Sequence, residues 1–489
     1  MTASLVYTAG SVWYVRSDAY RQECARTLSA NLALPCDIGA VVPRSWSSRE
    51  YRDVVVWLPE RRDHALTCER SIVYRTPAPD DPDGYEIEIF GGAAEISTRT
   101  WLRSDYRGVV ESGLRAGLAP GGPRQIRFGA MSVAFERDGF QLRLSSAAGR
   151  VQLQPGTRGT ATISASVIND YAVAEPVLLT AAFSMQSSGA RIDELSLTAP
   201  EIPIAALRAG ALLGSDITAG SFSGRLRYGE DEGGRAIVVS GRCRDVKLEE
   251  CTARRTTVPW RGRCTEIQLQ ELRLHDGRLE SVRFQGALAD VRLSDILATW
   301  GLSVGDGAAT LEVGRAEFAS GGVQSFVASG RCGAVSLKEL TDSLGLGGMS
   351  GELKITIDDL TIADNQLKSM DATVVVEDGA DSPNWVEGRL LRSLVENALR
   401  VKLPNILPER LEYTRFGLRL EVRDEILHVY GTHGPREKTI LTVRIAGQDW
   451  PLIQEPEREF DLRELADWLR ARAAERLRRH LPHVPGATP

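Results

Sequence analysis

The chain has 489 residues, room for about three domains or one long repetitive body, and is too long to need disulfide staples for a core. Its 59 Lys+Arg against 65 Asp+Glu leave a formal net charge of -6, which excludes a nucleic-acid binder whose affinity rests on neutralising phosphates. Apolar residues at 43% and charged residues at 25% exclude wholesale disorder, and 46 glycines with 22 prolines tilt the fold toward β.

The first segment, residues 2–15 (TASLVYTAGSVWYV), is uncharged and stops at Arg16. It falls short of the ~18 apolar residues that span a bilayer. Three readings stand: a secretory core without its basic flank, the tail of a membrane anchor that begins upstream, or a buried strand. We expect residues 1–16 to be a partial anchor or signal-like segment.

Residues 17–120 read as a helix-plus-strand cap. Ser17 suits a helix cap, and Tyr20, Cys24, Leu28 and Leu32 form one apolar stripe at a spacing of four. Pro35 ends that helix. Residues 36–42 and 54–58 then read as strands, 85–89 alternates cleanly, and 100–118 reads as a second helix. Asp80, Asp81 and Asp83 resemble a calcium loop only in part, since its twelfth position falls on Phe90; a solvated turn is expected.

A repeat governs residues 121–380, the predicted body. GRCRDVKL, GALADVRL and GRCGAVSL share the pattern Gly-x-(Cys/Leu)-x-x-Val-x-Leu, and their last residues, Leu248, Leu293 and Leu337, lie 45 and 44 positions apart. A degenerate copy, LTAPEIPI, ends at Ile204, another 44 upstream. Cys243, Leu288 and Cys332 share one slot, which therefore wants a small apolar side chain and not a disulfide. After each motif comes a short helix-like segment (205–213, 294–301, 338–346), then a glycine turn and an alternating strand (220–228, 305–313, 347–355). About four strands of five or six residues would fit each unit. Residues 140–144, 352–358 and 416–422 alternate apolar and polar, so each strand has a greasy and a wet face.

Residues 381–456 read as a C-terminal β segment with a preceding helix, and 457–489 as a basic amphipathic helix and tail. Asp461 with Glu464 starts that helix, Leu462, Leu465, Leu469, Ala473, Leu477 and Leu481 form its stripe, and Arg470, Arg472, Arg476, Arg478 and Arg479 make it basic. It either lies on an anionic membrane or caps the open end of the repeats.

Chemical motifs are missing. The seven cysteines contain no CxxC pair, so zinc ribbons and redox motifs are not expected, and most read as small buried hydrophobes. The histidines, His64, His275, His428, His433, His480 and His483, form no HExxH. There is no GxSxG elbow, phosphate loop or dinucleotide fingerprint. Adjacent Asp358 and Asp359 would point to opposite faces of a regular strand and so cannot act as an acid–base pair. We expect no enzyme activity, no metal and no cofactor.

The apolar N-terminus, the helix YRQECARTLSANLAL, then PCDIGAVVPRSW and the strand RDVVVWLPE resemble the start of AsmA-like bacterial envelope proteins. The later units look like repeats of the same AsmA and TamB superfamily, akin to chorein-type lipid-transfer proteins. The resemblance implies a mainly β fold: an elongated, curved antiparallel sheet, a β-groove, with an apolar interior. It implies phospholipid transport between membranes or outer-membrane maintenance, with a periplasmic body held at the inner membrane through the N-terminus. Phospholipid or another acyl-chain lipid would be the cargo, outer-membrane or periplasmic proteins the partners.

Physical chemistry points the same way. Burying a methylene is worth about 0.8 kcal/mol, so an acyl chain crosses water only inside an apolar trough, and a trough needs no catalytic residue. We place Leu226, Tyr228, Val239, Phe284, Leu353, Ile355, Ile357, Val374 and Val376 in its lining. The competing reading packs these residues against a second sheet or into a solenoid core, leaving a scaffold such as a β-solenoid or β-propeller. A glycan-active enzyme would require carboxylates converging on one face.

Overall fold

In the computed structural model, residues 13–32, 34–57, 64–77, 84–97, 122–137, 140–154, 158–186, 189–207, 217–231, 234–253, 258–275, 278–298, 304–319, 322–345, 347–377, 383–392 and 408–464 are described. The predicted helix at 100–118, most of the C-terminal helix, His480, His483 and the Asp80, Asp81 and Asp83 turn lie outside them. The fold is mainly β, as the alternation predicts, with 23 strands in one mixed sheet that does not close.

The chain packs as two units: Met1–Arg242 with Leu272–Leu279, and Cys243–Glu271 with Glu280–Pro489. In chain order the strands are β1 (Cys36–Pro43), β2 (Ser48–Trp57), β3 (His64–Arg75), β4 (Tyr85–Ser97), β5 (Pro123–Arg137), β6 (Phe140–Gln154), β7 (Arg158–Ile168) and β8 (Tyr171–Gln186). Next come β9 (Gly189–Pro203), β10 (Ser221–Asp231), β11 (Gly234–Lys247), β12 (Arg263–His275), β13 (Arg278–Arg292), β14 (Ala308–Ala319), β15 (Gly322–Ser336) and β16 (Glu352–Ala363). The last are β17 (Gln366–Glu377), β18 (Trp385–Glu387), β19 (Arg410–Arg423), β20 (Ile426–Gly431), β21 (Thr439–Ile445), β22 (Gln448–Gln454) and β23 (Phe460–Asp461).

One pairing departs from the antiparallel expectation. β4 and β5 run parallel, paired from Tyr85 opposite Pro123 to Ser97 opposite Glu136 with one slip after Tyr85. Parallel neighbours need a connection of a dozen or more residues, and residues 98–122 lie between the two strands.

The N-terminal helix forms as the stripe predicts, over Asp18–Leu32. Ser17 caps it, its Oγ accepting from the Tyr20 N–H at 3.2 Å. Tyr20, Cys24, Ala25 and Leu28 pack on Ile38, Val41, Val54 and Cys68 of the first three strands.

The repeat motif has a structural meaning that periodicity alone does not reveal. Its fifth residue, Asp245, Asp290 or Ala334, is left-handed with φ of 53°, 55° and 55°. At the second and third copies the register slips at that point, between Leu288 and Val291 and between Cys332 and Val335. The motif thus encodes a β-bulge that bends the strand and ends it. Its final leucine opens a short helix each time, Leu248–Thr252, Leu293–Ala298 and Leu337–Leu344, while Ile204 opens the tight turn Ile204–Leu207. One hydrogen bond recurs: the N–H of Leu248, Leu293 and Leu337 donates to the carbonyl of Gly262, Gly307 and Gly351, each fourteen residues on.

Each repeat holds two long strands, not the expected four short ones. β13 and β15 have fifteen residues each, and β14 and β16 have twelve. The glycine that opens each repeat motif lies within a strand and lets its neighbour approach closely. A Cβ on Gly286 would stand 2.2 Å from the Glu266 carbonyl oxygen, and one on Gly330 2.3 Å from that of Thr310, so only glycine permits the neighbouring strand this close.

Candidate functional site: an apolar lane on each unit

Residues directly opposite in a ladder share a face, so the registers trace rows across the sheet. In the first unit one row runs Val41, Tyr51, Ser71, Ile89, Phe128, Gly149, Ile163, Leu179, Leu197 and Leu226, one residue from each of β1 to β10. Beside it runs Val73, Ile87, Ile126, Val151, Ala161, Ala181, Leu195 and Tyr228, from β3 to β10. Ten strands at ~4.8 Å spacing make a lane about 43 Å long, and rows two residues apart lie ~7 Å from each other. The opposite face is polar: Ser164, Leu178, Thr198 and Arg225 stand opposite one another across β7 to β10.

The lane is neither exposed nor buried. Along it Tyr51, Ile89, Phe128, Ile163, Leu179 and Leu226 are all half-buried. Its flank is sealed, Ile38, Val54, Cys68, Met131 and Ala147 being at most 7% exposed, and the N-terminal helix packs on the cluster of Ile38, Val41, Val54 and Cys68 that Tyr51 and Ile89 join, so the β1–β4 end of the lane is covered as well. A surface greasy over ten strands, helix-covered at its β1–β4 end and half-buried at Phe128, Ile163, Leu179 and Leu226 beyond it, suits a trough.

The second unit also carries apolar rows, but they are more closed: Val291, Ala309, Val313, Ala316, Ala328 and Val422 are at most 3% exposed, and Leu248, Leu293 and Ile296 pack over the first of these rows. One row is Val291, Ala309, Cys332, Ile355, Val374 and Leu418; the next is Leu288, Leu311, Gly330, Ile357, Ala372, Leu420 and Val429. Beyond them stand Gly286, Val313, Ala328, Leu360, Met370, Val422 and Leu427, and then Phe284, Ala316, Phe326, Ile362 and Leu367. Phe284 stacks on Phe318 with centroids 6.2 Å apart.

Of the nine predicted lining residues, Leu226 and Tyr228 lie in the first unit's two rows, and Phe284, Ile355, Ile357 and Val374 in the second unit's. Val239 is half-buried on β11. Leu353 is 6% exposed within a core of Val335, Leu337, Met349, Val386, Leu390, Leu411, Tyr413, Leu441 and Val443, against which Ile355, Val374 and Val376 pack. That end of the lane is filled by the protein's own side chains, because the short helices and β21–β22 fold over it.

Sequence reasoning missed Phe128, Ile163, Leu179, Leu197 and Leu360. Bulges hid the last one. The register skips a residue between Ile357 and Asp359, so Leu360 returns to the apolar face three residues on instead of two. At the same slip Asp359, opposite Asp371, takes a 2.6 Å hydrogen bond from Ser369, while Asp371 binds Arg419.

Several charges among the described residues are paired. Arg283 and Arg315 both bind Glu317, holding its carboxyl below the ordinary range chiefly through the Arg315 hydrogen bond. Asp295, 4% exposed at the start of helix Leu293–Ala298, accepts from the Arg261 backbone N–H and Nε at 2.8 and 2.9 Å, and from its terminal nitrogen at 2.6 Å. The guanidinium hydrogen bond is the main reason its carboxyl is held low. These contacts tie elements together.

The seven cysteines are free; Cys36, Cys68, Cys264 and Cys332 are buried and Cys24, Cys243 and Cys251 partly so. Burial pushes the thiol of Cys264 up to about 12 and that of Cys243 to about 11, so both are neutral and unreactive at pH 7. Among the described residues no helix is long and apolar enough to cross a membrane. The chain matches no protein-family model, no curated protein and no solved structure.

Proposed function

We propose that this protein is a non-enzymatic carrier of acyl-chain lipid in a bacterial cell envelope, its apolar lanes holding hydrocarbon tails in transit between membranes. The observation that carries the reading is the row from Val41 to Leu226, apolar or small at all ten positions and half-buried over most of its length. A sixteen-carbon tail buries about 13 kcal/mol of methylene surface, enough to make such a lane its preferred site over water. A periplasmic body held at the inner membrane and serving the outer one belongs to the same proposal, supported by the resemblance in residues 2–58 and the repeats.

A scaffold is the second reading, favoured by the filled core around Leu353. Solvent extraction and mass spectrometry of the purified full chain separate the two. We expect phospholipid to be recovered, and Leu179→Asp to lower recovery at least about tenfold, since a carboxylate in an apolar lane must be desolvated. Leu178→Asp, on the opposite face, should leave recovery unchanged. Recovery of no lipid, or equal recovery from both variants, leaves the scaffold.

A further inference from the structure

We propose that the end of the first unit formed by the β1–β2 turn and the start of the N-terminal helix seats on a phospholipid bilayer, with Trp46 and Trp13 entering its interfacial layer. Trp46 is 85% exposed and Trp13 75%, the two most exposed large hydrophobics of the described residues, and Tyr14 beside Trp13 is 45% exposed. Tryptophan is amphipathic, an apolar ring with one N–H donor, and is favoured where hydrocarbon meets headgroups.

The two tryptophans come from separate elements but reach the same end. The Cys36 N–H, at the start of β1, donates to Ser29 near the helix C-terminus at 2.8 Å. At the other end Arg49, paired with Pro43 beside the turn, stacks 5.3 Å from the Tyr20 ring, and Tyr20 lies 5.3 Å from Tyr14. The helix therefore runs against β1, and its first residues stand next to the turn that carries Trp46.

That turn is held rigidly, so the exposure of Trp46 is built in. The Arg44 N–H donates to the Ser48 carbonyl at 3.1 Å, and the hydroxyls of Ser45 and Ser48 are 2.7 Å apart. Beneath it Glu50, with no exposed surface, binds both Arg44 and Arg52. Arg44, Arg49 and Arg52 then offer guanidinium groups at headgroup level, about half of each side chain of Arg44 and Arg52 being exposed. Residues 2–15, which lead into this end, carry no charge. An oily approach, projecting indoles and a collar of arginines fit a bilayer surface.

Vesicle binding by the full chain tests this separately from lipid recovery, because a protein can bind bilayers with an empty lane or fill the lane without binding. The probe is a phosphatidylcholine vesicle with one fifth phosphatidylglycerol, read by flotation and by quenching of tryptophan fluorescence with brominated acyl chains. Trp46→Ser is expected to weaken partitioning about tenfold and the Trp13→Ser, Trp46→Ser double variant to abolish quenching at this end. Trp450→Ser, on β22 and 53% exposed, should change neither flotation nor binding strength. Both tryptophans are solvent-facing, so the variants should keep the wild-type melting curve. A double variant that floats as wild type does overturns the proposal, as does wild-type protein that fails to float.

Discussion

Asp290 and Ala334 occupy the same bulge position in successive repeats, both left-handed, yet only aspartate tolerates that conformation readily. Ala334→Asp should therefore be neutral or slightly stabilising, whereas Ala334→Val, branched at Cβ, should cost about 1–2 kcal/mol by thermal melting. Gly286→Ala should cost about 2 kcal/mol or more, because its Cβ meets the Glu266 carbonyl at 2.2 Å, and Gly333→Ala, with open space around it, should change stability little. Asp295 carries a pH signature. Its folded pKa is depressed, so its contribution is full above the ordinary aspartate value of about 4 and is lost as pH falls through the folded value. Asp295→Asn should cost about 1.5–3 kcal/mol at pH 7, and the gap to wild type should close in acid. A gap that stays constant down to pH 2 would show that the charge contributes nothing.

The element is the scale at which the sequence was easiest to read and easiest to misread. Ser17 with the stripe Tyr20, Cys24 and Leu28 suffices to place the first helix, because capping and a spacing of four are local. The recurring leucines mark where each short helix begins, since each copy closes the same fourteen-residue hydrogen bond. Strand length was not legible. Gly286 and Gly330, which open the repeat motif, are close-approach points inside fifteen-residue strands, so the strands run on through them. The lining was legible in part for a related reason. Alternation identifies Ile355 and Ile357, but a bulge changes its phase, so Leu360 reads as wet-face when it is apolar-face. Which apolar residues stay half-open depends on what folds over them, and the cover on Leu353 comes from residues as distant as Leu441 and Val443. The parallel pairing of β4 with β5 is equally non-local.

For the molecule as a whole, 23 strands in one open sheet, a half-buried apolar lane on the first unit and more closely packed apolar rows on the second are the facts that a function must use. A row that a regular sandwich would bury is here half-buried across most of ten strands, which is why carriage of hydrocarbon is preferred to scaffolding. The sharpest check uses neighbours that differ only in the face they occupy. Leu178 and Leu179 are consecutive leucines on β8, the first opposite Ser164 and Thr198, the second opposite Ile163 and Leu197. With a photoreactive amino acid at each position in turn and the full chain irradiated in its expressing cells, the account predicts lipid adducts by mass spectrometry at 179 and none at 178. Equal labelling at the two positions, or no lipid adduct at 179 in a folded protein, would contradict it.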